Sequence, residues 1–450
     1  MGSIFGGACY QCLCTIAETE FCGAFSWLDC KSVVPRQVAR GWFVQGSTLT
    51  IEERSDTARW RVLGLICTGV VLCMTTWFSA TAITPELVQR WHLSAGQVSW
   101  LTNAVQLGFV TGALLSSLVS LPDLVPLRKL MGVSAVVAAS ANLWLLWVPS
   151  TGWLLAVRFV TGVALAGIYP PALKLTSTWF VRGRGTALGL VIAALTLGSA
   201  FPHLIRSLTD RVDWQVVVMA SSACTLLGAA LLVFFVAEGP FPFRGAVFNP
   251  RYVAVVVKNR PLVLANLGYF GHMWELYAMW GWFLAYVRAA APQLGLTGGR
   301  SASLVTFVVI AAGVAGAVLG GVLADRTSRT FAAGLMMTLS GLCAVAIGFV
   351  FDGPVWLFFV VAVLWGVTVI GDSAQFSAMA TELSDPSYVG TALALQLGLG
   401  FALTLVSIRM TPVIAAHIGW RWSFLPLAAG PAVGVVAMVK LRRLLAKRAG

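Results

Sequence analysis

The chain has 450 residues, 58% of them hydrophobic and only 10% charged, with a formal net charge of +13. Soluble domains carry about 25% charged residues, so a soluble multidomain enzyme is excluded, and so is a disordered chain, which needs the opposite balance. What remains is a protein immersed mostly in lipid, whose surplus Lys and Arg belong at the cytoplasmic ends of membrane helices rather than against nucleic acid.

Residues 1–59 stand apart from the rest. They hold Cys9, Cys12, Cys14, Cys22 and Cys30, and Glu18 and Glu20 interrupt their apolar runs, so neither a span nor a secretory signal is expected there. Cys9-x-x-Cys12-x-Cys14 has the spacing of a metal cluster but lacks a nearby His and a second Cys pair. Palmitoylation is the other use of such cysteines. The first Met after Met1 is Met74. The segment is expected to be a disordered tail or a start assigned too early, with the true initiator near Val44 to Leu49. The remaining cysteines lie singly in apolar runs, which implies no disulfide framework.

A membrane helix needs about 20 mostly apolar residues. Twelve windows qualify: 62–83, 97–120, 127–148, 153–174, 185–205, 214–236, 262–287, 302–323, 330–350, 354–378, 389–410 and 421–440. The fold expected is all-α and integral to the membrane, with twelve transmembrane helices in two six-helix pseudo-symmetric halves. The tail 1–59 precedes an N-terminal half at 60–237. A basic central loop at 238–261 leads to a C-terminal half at 262–441 and a basic tail at 442–450. With both termini inside, 19 Lys and Arg fall on cytoplasmic loops and flanks, among them Arg128, Lys129, Lys174, Arg182, Arg184 and Arg244. Seven fall opposite: Arg90, Arg206, Arg211, Arg288, Arg300, Arg409 and Arg421. That bias fixes an even number of spans with cytoplasmic ends; a basic ligand-binding surface is the competing explanation.

The halves echo each other. Gly162, Gly167 and Gly185-Thr186-Ala187-Leu188 return as Gly366, Gly371 and Gly390-Thr391-Ala392-Leu393. Asp123 followed by Arg128 returns as Asp325 followed by Arg329. Parallel six-helix repeats joined by a basic loop suit a transporter whose site lies between the halves. Gly321-Val322-Leu323-Ala324-Asp325-Arg326-Thr327-Ser328-Arg329 resembles the loop signature of the major facilitator superfamily, and Arg158-Phe159-Val160-Thr161-Gly162 is similar to its R-x-x-x-G element. The first-half loop, Ser120 to Lys129, is a degenerate copy. The family's antiporter spacing is not matched by Gly189, Gly198 and Pro202. Within the family, Gly167-Ile168-Tyr169-Pro170-Pro171 and Gly198-Ser199-Ala200-Phe201-Pro202-His203 look most like the cyanate and nitroimidazole permease group. The resemblance covers residues 60–450 and implies a multi-pass protein of a bacterial inner membrane. Asp325, Arg326, Arg329 and Asp123 are candidate conformational gates that bridge helix ends; plain topogenic charge is the alternative.

Ionisable groups deep in a span are costly and so are functional candidates. Span seven places His272 and Glu275 about 15–20 Å along the helix, near the midplane, and on one face. Tyr269, Met273, Tyr277 and Trp280 form an adjacent stripe. A buried carboxylate loses the solvation of its charged form, so Glu275, with His272 sharing, is a candidate to bind and release a proton. A His–Glu pair that only locks packing is the alternative, and a metal site would need further ligands. Asp372 with Gln375 in span ten, and Arg158 in span four, complete the charged set. Arg158 either attracts an anion or serves packing. Asn103, Gln106 and Gln396 either join helices or face a cavity.

The function expected is secondary active transport of a small polar or anionic organic solute by alternating access, probably proton-coupled symport in the language of such carriers, with solute, protons and lipid as partners and a monomer as the working state. A transporter-fold receptor without transport is the alternative. No G-x-S-x-G, H-E-x-x-H or phosphate-loop motif occurs, so neither catalysis, ATP drive nor a cofactor is implied.

Overall fold

The computed structural model describes residues 51–181, 183–208, 213–241, 249–385 and 387–449. The five N-terminal cysteines, the start suggested near Val44 to Leu49, and Arg182, Arg211 and Arg244 lie outside the described residues. The chain divides into two units, Met1–Glu53 and Arg54–Gly450, and all that follows concerns the second.

Twelve helical segments occupy the twelve expected spans. They are α1 (Ile51–Met74), α2 (Ala95–Leu118), α3 (Leu127–Trp144), α4 (Thr151–Ala166, resuming as Tyr169–Trp179), α5 (Arg184–Ser207) and α6 (Trp214–Phe235), then α7 (Arg260–Ala290), α8 (Gly298–Arg326), α9 (Arg329–Phe349), α10 (Val355–Gly371, resuming as Ser373–Glu382), α11 (Val389–Ile418) and α12 (Ala429–Ala449). Among the described residues there is no strand, and nine helices are long and apolar enough to cross a membrane. The other three are α1, α3 with Arg128 and Lys129 at its start, and α7 with its His and Glu. Local sequence sets several starts. Ser94 and Gln97 form a capping box on α2, while Asn259 and Ser328 accept the Leu262 and Phe331 amides at the starts of α7 and α9.

Four boundaries differ from the sequence expectation. Helix α1 begins at Ile51, within the segment set apart as a tail. It stops at Met74 because hydroxyls compete for its last carbonyls: Thr75 Oγ1 donates to Leu72 O and Ser221 O, Thr76 Oγ1 to Cys73 O, and Ser79 Oγ to Thr76 O. The chain resumes as short helices Ser79–Ala82 and Thr84–Trp91. The central loop contains a helix of its own, Val253–Lys258. The basic residues after 441 extend α12 rather than forming a separate tail.

The internal repeat is physical as well as textual. Helices α2 and α4 pack together, as do α8 and α10, and both pairs meet through glycine. A Cβ on Gly162 would stand 2.1 Å from Val105 O, and one on Gly366 would stand 1.9 Å from Val309 O. Likewise Gly112 faces Val163 O and Gly316 faces Val367 O. Each pair recurs at the same offset of about 204 residues, as the sequence spacing has it. Both second helices of these pairs break at the matching place, after Gly167 and at Asp372. Between the halves, α5 packs on α8 and α2 on α11.

Substituting Gly366→Ala forces a methyl group into a backbone carbonyl and should cost about 1–3 kcal/mol. Gly321→Ala, where nothing lies within 4 Å, should not. Thermal unfolding of the two purified variants checks this; equal melting temperatures would remove the close approach as the reason for the repeated glycines.

Candidate functional site

Helix α7 carries two functional faces. On one, Glu275 Oε1 accepts hydrogen bonds from Ser340 Oγ of α9 (2.8 Å) and Trp365 Nε1 of α10 (2.7 Å). One turn earlier, His272 Nδ1 lies 2.7 Å from Asp372 Oδ1, with side-chain exposures of 1% and 3%. Asp372 stands at the break in α10, so the pair ties that break to α7. His272 Nε2 has no hydrogen-bonding partner, and its ring is flanked by Tyr269 and Phe376. Both buried acids therefore point into the C-terminal bundle.

The other face meets the N-terminal half in an aromatic cluster. Tyr277 stacks on Trp77 and Phe78, with ring centres 6.0 and 6.4 Å apart. Trp280 meets Phe78 edge-on at 5.9 Å. Phe401 of α11 packs on Tyr277 and on Phe109 of α2, and Phe109 packs on Trp77. Trp77 and Trp280, which the sequence places at matching positions of the two halves, thus stand in one cluster. The other indoles of α7 have carbonyl partners: Trp274 donates to Pro426 O and Trp282 to Ile408 O. Trp77 Nε1 and Trp280 Nε1 have none.

Gln106 lies one helical turn from Phe109 and one turn from Thr102, which shares a hydrogen bond with Thr81, so the three occupy one face of α2. Gln106 is fully buried, and both its amide atoms are without partners. The neighbouring polar residues are engaged. Asn103 donates across the halves to Leu405 O, and Gln396 donates to Asn266.

Arg158 does not reach this cluster with its charge. Its guanidinium is fully buried and donates to Thr76 O (3.0 Å), Ser79 Oγ and Leu101 O (both 3.3 Å), and to Trp77 O. It thereby satisfies carbonyls left open where α1 breaks. Its placement fits packing rather than contact with a solute, and the two aromatic side chains it positions are Trp77 and Phe78.

Toward the end that carries the basic loops, ion pairs strap each half. Lys174 Nζ meets Asp123 Oδ1 at 2.6 Å and Pro122 O at 2.8 Å. Arg329 meets Glu382 at 2.7 Å, and its Nη1 donates to Gln375 Oε1 at 3.3 Å. The straps are related by the repeat with their charges exchanged. Asp325 and Arg326 are exposed and form no ion pair among the described residues. The helix-end bridge expected of Asp325 is made by Glu382 instead, because Arg329 opens α9 and faces the end of α10. At the opposite end, a cleft of about 480 Å³ lies between the segment Thr81–Val88 and the last turns of α7, and one of about 340 Å³ between Thr84, Val98, Trp282 and Pro412.

With that geometry in hand, the likenesses to known proteins are specific. Residues 65–298 match the Major Facilitator Superfamily. The chain belongs to that superfamily. It is 26% identical over 302 residues to the MFS-type transporter opdF of Penicillium oxalicum, covering 64% of this chain and 67% of that one. It is also 26% identical to a galacturonate transporter of Dickeya chrysanthemi (39% of this chain, 51% of that one) and to the hexuronate transporter of Escherichia coli (39% and 41%). The chain thus spans about half the length of the latter two. In fold it is similar to a bacterial homolog of the human lysosomal transporter Spinster, solved inward-facing and unoccupied, with a TM-score of 0.63 at 14% identity over 85% of this chain and 95% of that one.

For this superfamily member, sequence reading missed the partners rather than the principals. Ser340 and Trp365 on Glu275, and Glu382 on Arg329, went unnamed. So did Glu86, which pairs with Arg206 at 2.6 Å. Trp365, a tryptophan too deep for an interfacial belt, was the signal available. No group of three or more metal-binding side chains occurs among the described residues.

Removing the guanidinium in Arg158→Ala orphans several buried carbonyls, each worth about 1–3 kcal/mol, so thermal stability should fall by at least about 3 kcal/mol. A variant as stable as the parent, with any solute binding lost, would mean that Arg158 serves the solute instead.

Proposed function

We propose that the chain is a secondary active transporter that moves a small polar or anionic organic solute by alternating access between its two halves. The observation that carries this reading is the inter-half aromatic cluster with its unpartnered donors and acceptors, Trp77 Nε1, Trp280 Nε1 and the Gln106 amide. An unpaired buried polar group costs about 1–3 kcal/mol, a cost that hydrogen bonds to a bound solute remove. Tyr277, Trp280 and Gln106 are the residues assigned to the solute, with aromatic faces giving shape and the amide giving orientation. Galacturonate and hexuronate, the substrates named for two relatives, favour an organic anion. The likeness to cyanate and nitroimidazole permeases keeps small inorganic anions and nitroaromatics in the screen.

Glu275 and the His272–Asp372 pair form the proton-coupling side of this proposal. A proton that neutralises a buried acid lowers the cost of passing through a closed state. Gln375, one turn beyond Asp372 and bonded to Arg329, leads from that pair toward the basic end, which the excess of Lys and Arg assigns to the cytoplasm. The straps Asp123–Lys174 and Arg329–Glu382, with Asp325 and Arg326 beside the second, are assigned to holding one conformation. In this reading the protein works as a monomeric symporter in a bacterial inner membrane.

Gln at position 275 keeps the acceptor oxygen used by Ser340 and Trp365, so Glu275→Gln should fold normally. In proteoliposomes with an imposed pH gradient it should lose proton-driven accumulation while counterflow exchange persists. Asp372→Asn should lose accumulation as well. Full accumulation by both variants would end the coupling assignment. A parent protein that binds solute yet exchanges none across the bilayer would favour the receptor alternative.

A further inference from the structure

The cleft of about 480 Å³ at the end opposite the basic loops is lined by Thr81, Thr84, Trp282, Arg288 and Trp420, among others. Its floor is the Thr81–Thr102 hydrogen bond and Gly281, next to Trp280, so it stands directly over the aromatic cluster. Trp282 and Trp420 face each other with ring centres 5.9 Å apart and wall one side.

Two guanidinium groups, one from each half, converge beside this cleft. Arg206 Nη2 and Arg288 Nη1 stand 3.7 and 3.8 Å from the position a Cβ on Gly299 would take. Arg206, closing α5, gives its Nε and Nη2 to Glu86 Oε1 at 3.0 and 2.6 Å, while its Nη1 is buried without a partner. Arg288, closing α7, is exposed and makes no ion pair among the described residues. Gly299 sits in the first turn of α8, whose free amides add positive potential. One carboxylate therefore faces two cations, and a walled site of one sign concentrates the opposite charge.

We propose that this cleft receives a carboxylate-bearing solute, with Arg288 holding the carboxylate and Arg206 turning to it from Glu86. The guanidinium fork matches a carboxylate in two parallel hydrogen bonds, and the volume suits a small organic acid. Glu86 is the built-in competitor: while it holds Arg206, the cleft has one free arm, and an arriving carboxylate exchanges for it. The two arms come from different halves, so the solute cross-links them above the aromatic cluster. This inference rests on the solute-transport reading and supplies its substrate class.

The test is thermal-shift binding to the purified full-length protein at fixed ionic strength, with galacturonate and nicotinate as probes and galactose and nicotinamide as their neutral counterparts. The acids should stabilise the protein and the neutral molecules should not. Arg288→Gln should weaken acid binding at least about tenfold, whereas Glu86→Gln, which frees Arg206, should tighten it. Arg90→Gln, a cation at the same end outside the cleft, should change nothing. Equal response to acid and neutral probes, no response to either acid, or unaltered acid binding by Arg288→Gln would each overturn the proposal. Proteoliposome uptake separates the two levels. If the parent and Arg288→Gln transport alike, the cleft assignment fails while the transport reading stands. A parent that binds the acids through Arg288 but transports nothing keeps the cleft and removes the transporter.

Discussion

Every backbone carbonyl inside a lipid bilayer needs a partner within the protein, and the break in α1 is where that requirement is most demanding. Helix α1 ends at Met74 in mid-bundle, and the chain turns through Thr75–Phe78 before it is helical again. Arg158 answers the demand from α4, with its donors spent on Thr76 O, Trp77 O, Leu101 O and Ser79 Oγ. Ser79 in turn donates to Asn142 of α3, which donates onward to α6. One buried cation thus organises four helices of the N-terminal half around a non-helical segment. The side chains that segment presents to the other half are Trp77 and Phe78, so the aromatic cluster depends on a guanidinium that does not touch it.

The C-terminal half solves its own break differently. Its counterpart of α4 is α10, interrupted at Asp372 rather than supported by an arginine, and the residue matching Arg158 at the repeat offset is Ala362. There the tie is a buried side-chain pair, His272 with Asp372. The glycine contacts are shared between halves and the polar chemistry is not. Shared glycines keep α2 on α4 and α8 on α10 close enough to move as units, whereas the unshared groups give each unit its own task, a fixed scaffold on one side and a titratable tie on the other.

This division explains what could be read in the sequence. Apolar length and charge bias located the spans because lipid thickness and topology act on composition alone. The repeat was legible because a glycine whose Cβ would sit 1.9–2.1 Å from a carbonyl leaves no alternative residue. Glu275, His272 and Asp372 stood out as ionisable groups in apolar runs. Their partners did not, since Ser340 and Trp365 are ordinary residues for a membrane helix and become partners only through helix rotation. Arg158 was identifiable as buried but not as structural, because the break it supports falls inside an apolar run that reads as a continuous helix. The Arg329–Glu382 strap escaped notice for a similar reason: the two residues are 53 positions apart, and the nearer Asp325 was the obvious acid.

Helix α7 is then the element through which the two chemistries meet. His272 and Glu275 face α9 and α10, while Tyr277 and Trp280 face the break in α1, all within nine residues of one rigid helix. A change of charge on the first face alters how α7 is held by Ser340, Trp365 and Asp372. A helix cannot shift one face and keep the other, so the same displacement reaches the contacts with Trp77 and Phe78. Close packing makes such contacts switch between discrete arrangements rather than deform smoothly. In the proposed transporter, coupling between proton and solute therefore needs no direct contact between them. It needs only that α7 stay straight between Gly268 and Trp282, and the unbroken helix from Arg260 to Ala290 meets that condition, in a bundle where α4 and α10 are both interrupted.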